Sequence, residues 1–201
     1  MILSKRLFDL ICGFCLALLL SPVIALVALA ILLLDGRPVF YVSERMKTPT
    51  QGFKLIKFRT MRPVAGDNGV SGGDKSDRVT RPGIILRRTR LDELPQVWNV
   101  IRGDISFVGP RPPLRQYVER FPQIYIAVLR SRPGITGMAS VYFHANEEYL
   151  LARSGSCAET DKIYCRACIP RKARLDLIYQ ENRNLCMDMS LMLKTVFKRL
   201  R

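Results

Sequence analysis

Between Leu10 and Leu34 the chain carries no charged residue, and its polar interruptions are Cys12, Cys15 and Ser21. A run of about 25 residues makes a helix of roughly 37 Å at ~1.5 Å rise per residue, enough to cross the hydrocarbon of a bilayer. The run is too long for a signal-peptide core and lacks a small-x-small cleavage site at the right distance, so it is expected to be retained. Ser21-Pro22 falls almost at its middle. Proline removes one backbone donor and crowds the carbonyl four residues back, so a bend is expected there. Two geometries follow: a kinked spanning helix, with the freed groups satisfied by a serine or a neighbour, or a re-entrant hairpin with both ends on one face. Positive residues flank both ends, Lys5 and Arg6 before and Arg37 after, and such residues favour the cytoplasmic side. On the residues alone both geometries stay open.

The 201 residues carry a formal charge of +15. Residues 1–36 hold Lys5, Arg6, Asp9 and Asp35 and balance to zero, so the excess lies on residues 37–201. That division gives two parts, a membrane element over 1–36 and a basic domain over 37–201. A basic domain seeks an anionic partner: nucleic acid, a phospholipid surface or a phosphorylated small substrate. No helix-turn-helix, zinc finger or clustered aromatic platform supports the first.

The basic domain reads as α/β, mostly helical with short strands. Residues 39–42 and 53–61 are strand-like, with Thr50-Gln51-Gly52 as a turn between them. Residues 64–83 are rich in Gly, Asp, Asn and Ser and read as a long mobile loop of the kind that covers substrates. Helices are expected over 84–90, 92–102 with Gly103 as the stop, 114–130, 171–183 and 187 to the end. Pro-rich loops are expected at 109–113 and 132–137.

Asp92-Glu93 is the stretch with chemistry in it. At the expected helix start, exposed amides and Arg87, Arg88, Arg90 and Arg111 should push the Asp92 pKa down and keep it ionised. An ionised carboxylate can coordinate Mg²⁺ or attack phosphorus; the plainer role is to complement the helix dipole. Arg87 and Arg111 offer forked donors for phosphoryl oxygens. Asp188 lies in an apolar stretch, where a carboxylate needs a partner or a metal.

These pieces together resemble the bacterial monotopic phosphoglycosyl transferases, the bacterial sugar transferase superfamily. They occur in the family's order: Lys5-Arg6-Leu7-Phe8-Asp9, Ser21-Pro22, Glu44-Arg45, Lys57-Phe58-Arg59-Thr60-Met61, Asp77-Arg78-Val79-Thr80-Arg81, Leu91-Asp92-Glu93-Leu94-Pro95-Gln96, Gly109-Pro110-Arg111-Pro112, Arg132-Pro133-Gly134 and Asp188. The resemblance spans essentially the whole chain. It implies that Asp92 is the nucleophile that attacks the β-phosphate of a UDP-sugar, releases UMP and carries a covalent phosphosugar. Undecaprenyl phosphate then takes the phosphosugar. It further implies Glu93 as the partner acid, a requirement for Mg²⁺ at the Asp92-Glu93 pair with the carboxylate that holds it left open, and Lys57, Arg87, Arg111, Arg132 and Asp188 as phosphate, nucleotide or structural site residues. It also decides the membrane geometry for the hairpin at Ser21-Pro22, with membrane-surface helices against phospholipid and the catalytic domain at the cytoplasmic face of the bacterial inner membrane. The sugar stays unspecified, and the oligomeric state is open, a dimer included.

Cys157, Cys165 and Cys168 with His144 allow a zinc or redox reading, but the spacings fit no common module and small buried thiols are the plainer account. His144 reads as a hydrogen-bonding residue and Trp98 as core packing. The basic residues Arg130, Arg132, Arg171, Lys172 and Arg174 read as a solvated or headgroup-facing surface. Two rival functions stand beside the transferase: a membrane scaffold or regulator with a dead site, and a membrane-tethered nucleic-acid-binding domain.

Overall fold

The computed structural model describes residues 3–64 and 73–197. The middle of the expected 64–83 loop, residues 65–72, and the basic end Lys198-Arg199-Leu200-Arg201 lie outside the described residues. Helix α1 covers Leu3–Leu34, with Pro22 inside it. Pro22 has no amide to give the Leu18 carbonyl, and the Ser21 hydroxyl donates to that carbonyl instead, at 2.8 Å. The helix therefore continues through the proline with the freed acceptor satisfied.

One stripe of α1 rests on the domain along its length. Lys5, Asp9, Gly13 and Ile31 are buried on it. Cys12 and Leu16 pack against a core of Phe53, Leu55, Val100, Ile105 and Phe107, while Ile24, Val27 and Ala28 pack against Phe58 and Leu86. The opposite side shows Leu18, Leu19, Leu26, Leu33 and Leu34, the face that the apolar run requires a lipid to cover.

Strands β1 (Phe40–Met46) and β2 (Gly52–Phe58) form an antiparallel pair in which Tyr41 faces Lys57. Helix α2 runs over Arg81–Thr89, earlier than the expected 84–90, because the Thr80 hydroxyl caps it through the Gly83 amide and Pro82 suits its first turn. It ends at Arg90, a non-glycine residue in the left-handed region at φ 61°. A 3₁₀ turn over Leu91–Glu93 follows, and α3 covers only Gln96–Arg102. The single helix expected from Asp92 is thus two pieces. Pro95 lacks an amide and serves as the N-cap of α3. Gly103, at φ 83°, stops it as expected.

Short strands β3 (Ser106–Val108) and β4 (Gly134–Thr136) pair in parallel, so the expected loop at 132–137 holds a strand. The helix expected over 114–130 is broken at Phe121, ahead of Pro122, into α4 (Arg115–Arg120) and α5 (Pro122–Val128). Then come α6 (Met138–Tyr142), α7 (His144–Ala152), α8 (Cys157–Ile163), a π turn over Tyr164–Cys168, α9 (Ile169–Asn182) and α10 (Leu185–Phe197). Tyr117, Val128, Cys168 and Ile169 centre the core under these helices. Trp98 is 56% exposed, against the expected core position. Its neighbours Val97, Asn99 and Val100 take the buried face of α3, and Trp98 takes the other.

Candidate active site

The buried Asn99 side chain fixes the floor of the site. Its Oδ1 accepts from the Ile56 amide at 3.1 Å and its Nδ2 donates to the Lys54 carbonyl at 2.8 Å. These bonds lock α3 to β2, so Lys57 near the strand's end stands over the turn that carries Asp92 and Glu93. Glu93 Oε1 accepts from Lys57 Nζ at 2.8 Å, Arg90 Nη1 at 3.0 Å and Arg111 Nη2 at 3.1 Å. Burial alone would raise the Glu93 carboxyl, but Lys57, Arg111 and Arg90 overcome it and hold the group well below the ordinary carboxylate range. Burial pushes the Lys57 ammonium down to about 8, opposed by Glu93.

Asp92 differs from its neighbour. It is buried, and its Oδ1 has no hydrogen-bond partner among the described residues. Burial raises its pKa, with Lys57 pulling the other way. The expectation that amides and arginines push this pKa down is therefore corrected. The residue sits in a short 3₁₀ turn rather than at the mouth of a long helix, and desolvation outweighs the cations. A carboxylate oxygen with no donor on it is freer to attack or to bind a cation than one that already accepts three hydrogen bonds.

A cavity of about 1030 Å³ opens over this turn and is lined by Lys57, Arg87, Arg90, Asp92, Glu93 and Arg111 among others. Arg87 lies close enough to Asp92 to feel its charge, and its Nε donates to Thr60 Oγ1 at 3.0 Å. Gly83 lets α2 come this close, since a Cβ there would lie 2.2 Å from the Thr60 carbonyl oxygen. Arg90, expected only as a nearby cation, and His144, expected only as a hydrogen-bonding residue, both line the cavity. Arg90 Nη2 lies 2.7 Å from His144 Nε2, which is 3.2 Å from Glu148 Oε1. The signal for Arg90 was its position three residues before Glu93; His144 carried none, because α7 reaches the site only through tertiary packing.

Two expected site residues lie elsewhere. Arg132 stands near Arg6, Asp9 and Asp104 at the root of α1 and does not line the cavity. Asp188 binds Lys5 and Tyr179, also outside the cavity; this is the partner that its apolar surroundings demanded. Lys172, expected on a solvated face, turns inward to Glu147 Oε1 at 2.7 Å. Cys157 is exposed, whereas Cys165 and Cys168 are buried in the π turn.

Among the described residues no three His, Cys, Asp or Glu side chains gather as a closed metal cage. An Asp-Glu pair with one unpartnered oxygen suits a hard ion that keeps water or substrate in its other positions, as Mg²⁺ does. The profile of the bacterial sugar transferases matches residues 1–201. The chain belongs to the bacterial sugar transferase family. It is 34% identical over 200 residues to the UDP-glucose:undecaprenyl-phosphate glucose-1-phosphate transferase of Escherichia coli K12, covering 98% of this chain and 40% of that relative. It is 32% identical over 196 residues to the UDP-N-acetylgalactosamine-undecaprenyl-phosphate N-acetylgalactosaminephosphotransferase of Aeromonas hydrophila, covering 96% of this chain and 42% of that one. It is 36% identical over 152 residues to the exopolysaccharide production protein ExoY of Rhizobium meliloti, with 68% and 67% covered. The chain thus spans about two fifths of the first two relatives and two thirds of the third. In this member of the family, the carboxylate pair and its ring of cations lie together in the cavity.

Proposed function

We propose that the protein transfers a sugar-1-phosphate from a UDP-sugar to undecaprenyl phosphate and releases UMP, the first membrane step of a lipid-linked glycan. The observation that carries this is the contrast within one dipeptide. Glu93 Oε1 accepts from Lys57, Arg90 and Arg111, while Asp92 Oδ1 is buried and has no partner among the described residues. Lys57, Arg90 and Arg111, gathered by Glu93, take the diphosphate oxygens. An Asp92 carboxylate oxygen attacks the β-phosphorus, and the bond from that phosphorus to the oxygen bridging to the α-phosphorus breaks. UMP departs with the electron pair, leaving an acyl phosphate that carries the sugar. An oxygen of undecaprenyl phosphate then attacks the same phosphorus, the bond to Asp92 breaks, and the carboxylate is restored. Mg²⁺ at the Asp92-Glu93 pair would offset negative charge on the bound diphosphate and on the UMP that leaves.

The membrane geometry that fits this chemistry is the re-entrant hairpin, with the domain at the cytoplasmic face of the inner membrane. Both ends of α1 are tied to the same domain. Arg6 donates to the Val100 and Ile101 carbonyls at 2.8 Å each, and Arg59 donates to the Asp35 and Gly36 carbonyls at 2.7 and 2.9 Å. Trp98, Ile84 and Ile85 are exposed on helices whose other faces pack against α1, which suits contact with lipid near the acceptor's phosphate.

The test is UMP release by the full chain in nanodiscs, offered a panel of UDP-sugars with Mg²⁺, with and without undecaprenyl phosphate, beside Asp92→Asn. Multiple turnover that requires the acceptor and disappears in the variant is expected. A folded protein that releases no UMP from any donor would leave the dead-site scaffold as the better reading.

A further inference from the structure

The cavity over Asp92 continues beyond the cations into a compartment that the phosphoryl chemistry does not use. Tyr125, Ser140, Glu147, Tyr164, Lys172 and Asp176 line it. Its wall is one stripe of α9, since Ile169, Lys172, Ala173 and Asp176 recur at the spacing that puts residues on one helical face. Charge changes along the cavity. Around Asp92 the cations dominate, whereas here the Lys172 ammonium is spent on Glu147 Oε1 at 2.7 Å and the Tyr164 hydroxyl at 3.4 Å. Asp176 is 6% exposed, and its Oδ1 has no partner among the described residues. The Ala139 amide supplies its carboxylate with one hydrogen bond. A buried carboxylate oxygen without a donor is unfavourable unless something completes it.

A nucleotide-sugar is a diphosphate flanked by two neutral ends, each rich in hydrogen-bond donors. With the diphosphate on Lys57, Arg90 and Arg111, one neutral end must occupy a compartment contiguous with them. We propose that this compartment binds a neutral end of the donor substrate, with Asp176 accepting hydrogen bonds from its hydroxyl or N–H groups. The tyrosine rings offer apolar flanks to the ring plane. The proposal rests on the nucleotide-sugar reading above and adds to it the residue that reads the uncharged part. The donors facing Asp176 come either from the transferred sugar or from the nucleoside, and these two sources separate experimentally.

The experiment measures binding of UMP, UDP and a UDP-hexose to the full chain in nanodiscs, with steady-state kinetics, for wild type, Asp176→Asn and Tyr125→Phe. At pH 8, Asp176→Asn should weaken the bound ligand by roughly ten- to a hundredfold, the usual effect of losing a charged acceptor. It should raise KM for the donor while kcat changes by less than about threefold. Loss for the UDP-hexose alone assigns the compartment to the sugar; equal loss for UMP assigns it to the nucleoside. Tyr125→Phe removes one hydroxyl from the same wall without touching a charge, and should weaken the same ligand less. It decides the matter if Asp176→Asn fails to fold. Unchanged affinity for all three ligands in a folded variant, with wild type active, overturns the subsite and leaves the transferase reading intact. A wild type that binds none of the ligands overturns both.

Discussion

The ammonium of Lys5, in the first turns of α1, meets the carboxylate of Asp188 in α10, 183 residues later. The Tyr179 hydroxyl closes the cluster, accepting from Lys5 at 3.0 Å and donating to Asp188 Oδ1 at 2.6 Å. All three groups are buried. The cluster bolts the base of the membrane helix to the last described helix of the domain. Removing one charge from such a pair leaves the other buried and alone, which costs about 3–5 kcal/mol. Lys5→Met and Asp188→Leu should each lower the unfolding midpoint in detergent sharply, and the double variant should recover much of the loss. A double variant as unstable as the sum of the singles would show that packing at Tyr179, and not charge compensation, holds the joint.

The Asp92-Glu93 pair makes opposite predictions for adjacent carboxylates. Glu93→Gln removes the anion that gathers Lys57, Arg90 and Arg111, so it should destabilise the protein by about 2–4 kcal/mol and reduce donor binding. Asp92→Asn replaces a buried, unpartnered carboxylate by a neutral amide. It should leave the unfolding midpoint unchanged or raise it, while turnover falls at least about 10³-fold. Differential scanning fluorimetry without added Mg²⁺, run beside the UMP assay, reads both effects. Loss of stability in Asp92→Asn would mean that the carboxylate is a structural group.

How far this arrangement can be read from the chain depends on how local each signal is. The apolar run, the Gly103 stop and the Asp-Glu pair are set by neighbours in sequence, and the structure keeps all three, whereas helix α1 continues through Ser21-Pro22, where an interruption is expected. Arg132 and Asp188 carry as much charge as Arg111, yet they belong to the root of α1, because β4 and α10 are carried there by long-range packing. The same packing brings Arg90 against His144 and turns Lys172 inward. The Asp92 pKa departs from its sequence expectation for a related reason: nearby arginines are visible in the chain, but desolvation is a property of the finished fold.

Asp176 gives the protein a pH signature. Burial lifts its folded-state pKa from 3.8 to about 7; Lys172 and the Ala139 amide resist the lift and Glu147 adds to it. Tyr125 and Tyr164, whose hydroxyls burial pushes up, stay neutral throughout this range. Between those two values the folded protein keeps a proton that the unfolded chain gives up. Stability therefore falls as pH rises across the window, by up to about 1.4 kcal/mol per pH unit, and levels off above it. Asp176→Asn has no such proton to lose. Its unfolding midpoint should gain on wild type from about pH 4 to about pH 7 and run parallel above. Curves that stay parallel throughout would show a carboxyl ionised in the folded state.

Topology is the remaining prediction, and it turns on Ser21 and Pro22. In an uninterrupted helix the amide at position 22 would bond the Leu18 carbonyl; here the Ser21 hydroxyl takes that place at 2.8 Å. A proline costs an exposed helix about 3 kcal/mol, so it persists where the chain must bend or where a ladder bond is dispensable. Both ends of α1 are bound by the domain, Arg6 holding the carbonyls of α3 and Arg59 those of residues 35 and 36. A helix spanning the bilayer would have to release one of these sets. Single cysteines at Ser4 and Gly36, in a cysteine-free background, should both react with an impermeant maleimide from the cytoplasmic face of inverted vesicles. Pro22→Leu restores the missing amide and straightens the preference of the chain. It should shift part of the population so that Ser4→Cys becomes reactive from the opposite face, with transferase activity falling in the same proportion. Labelling of the two positions from opposite faces in the parent protein would establish a spanning helix and detach the hairpin from the mechanism.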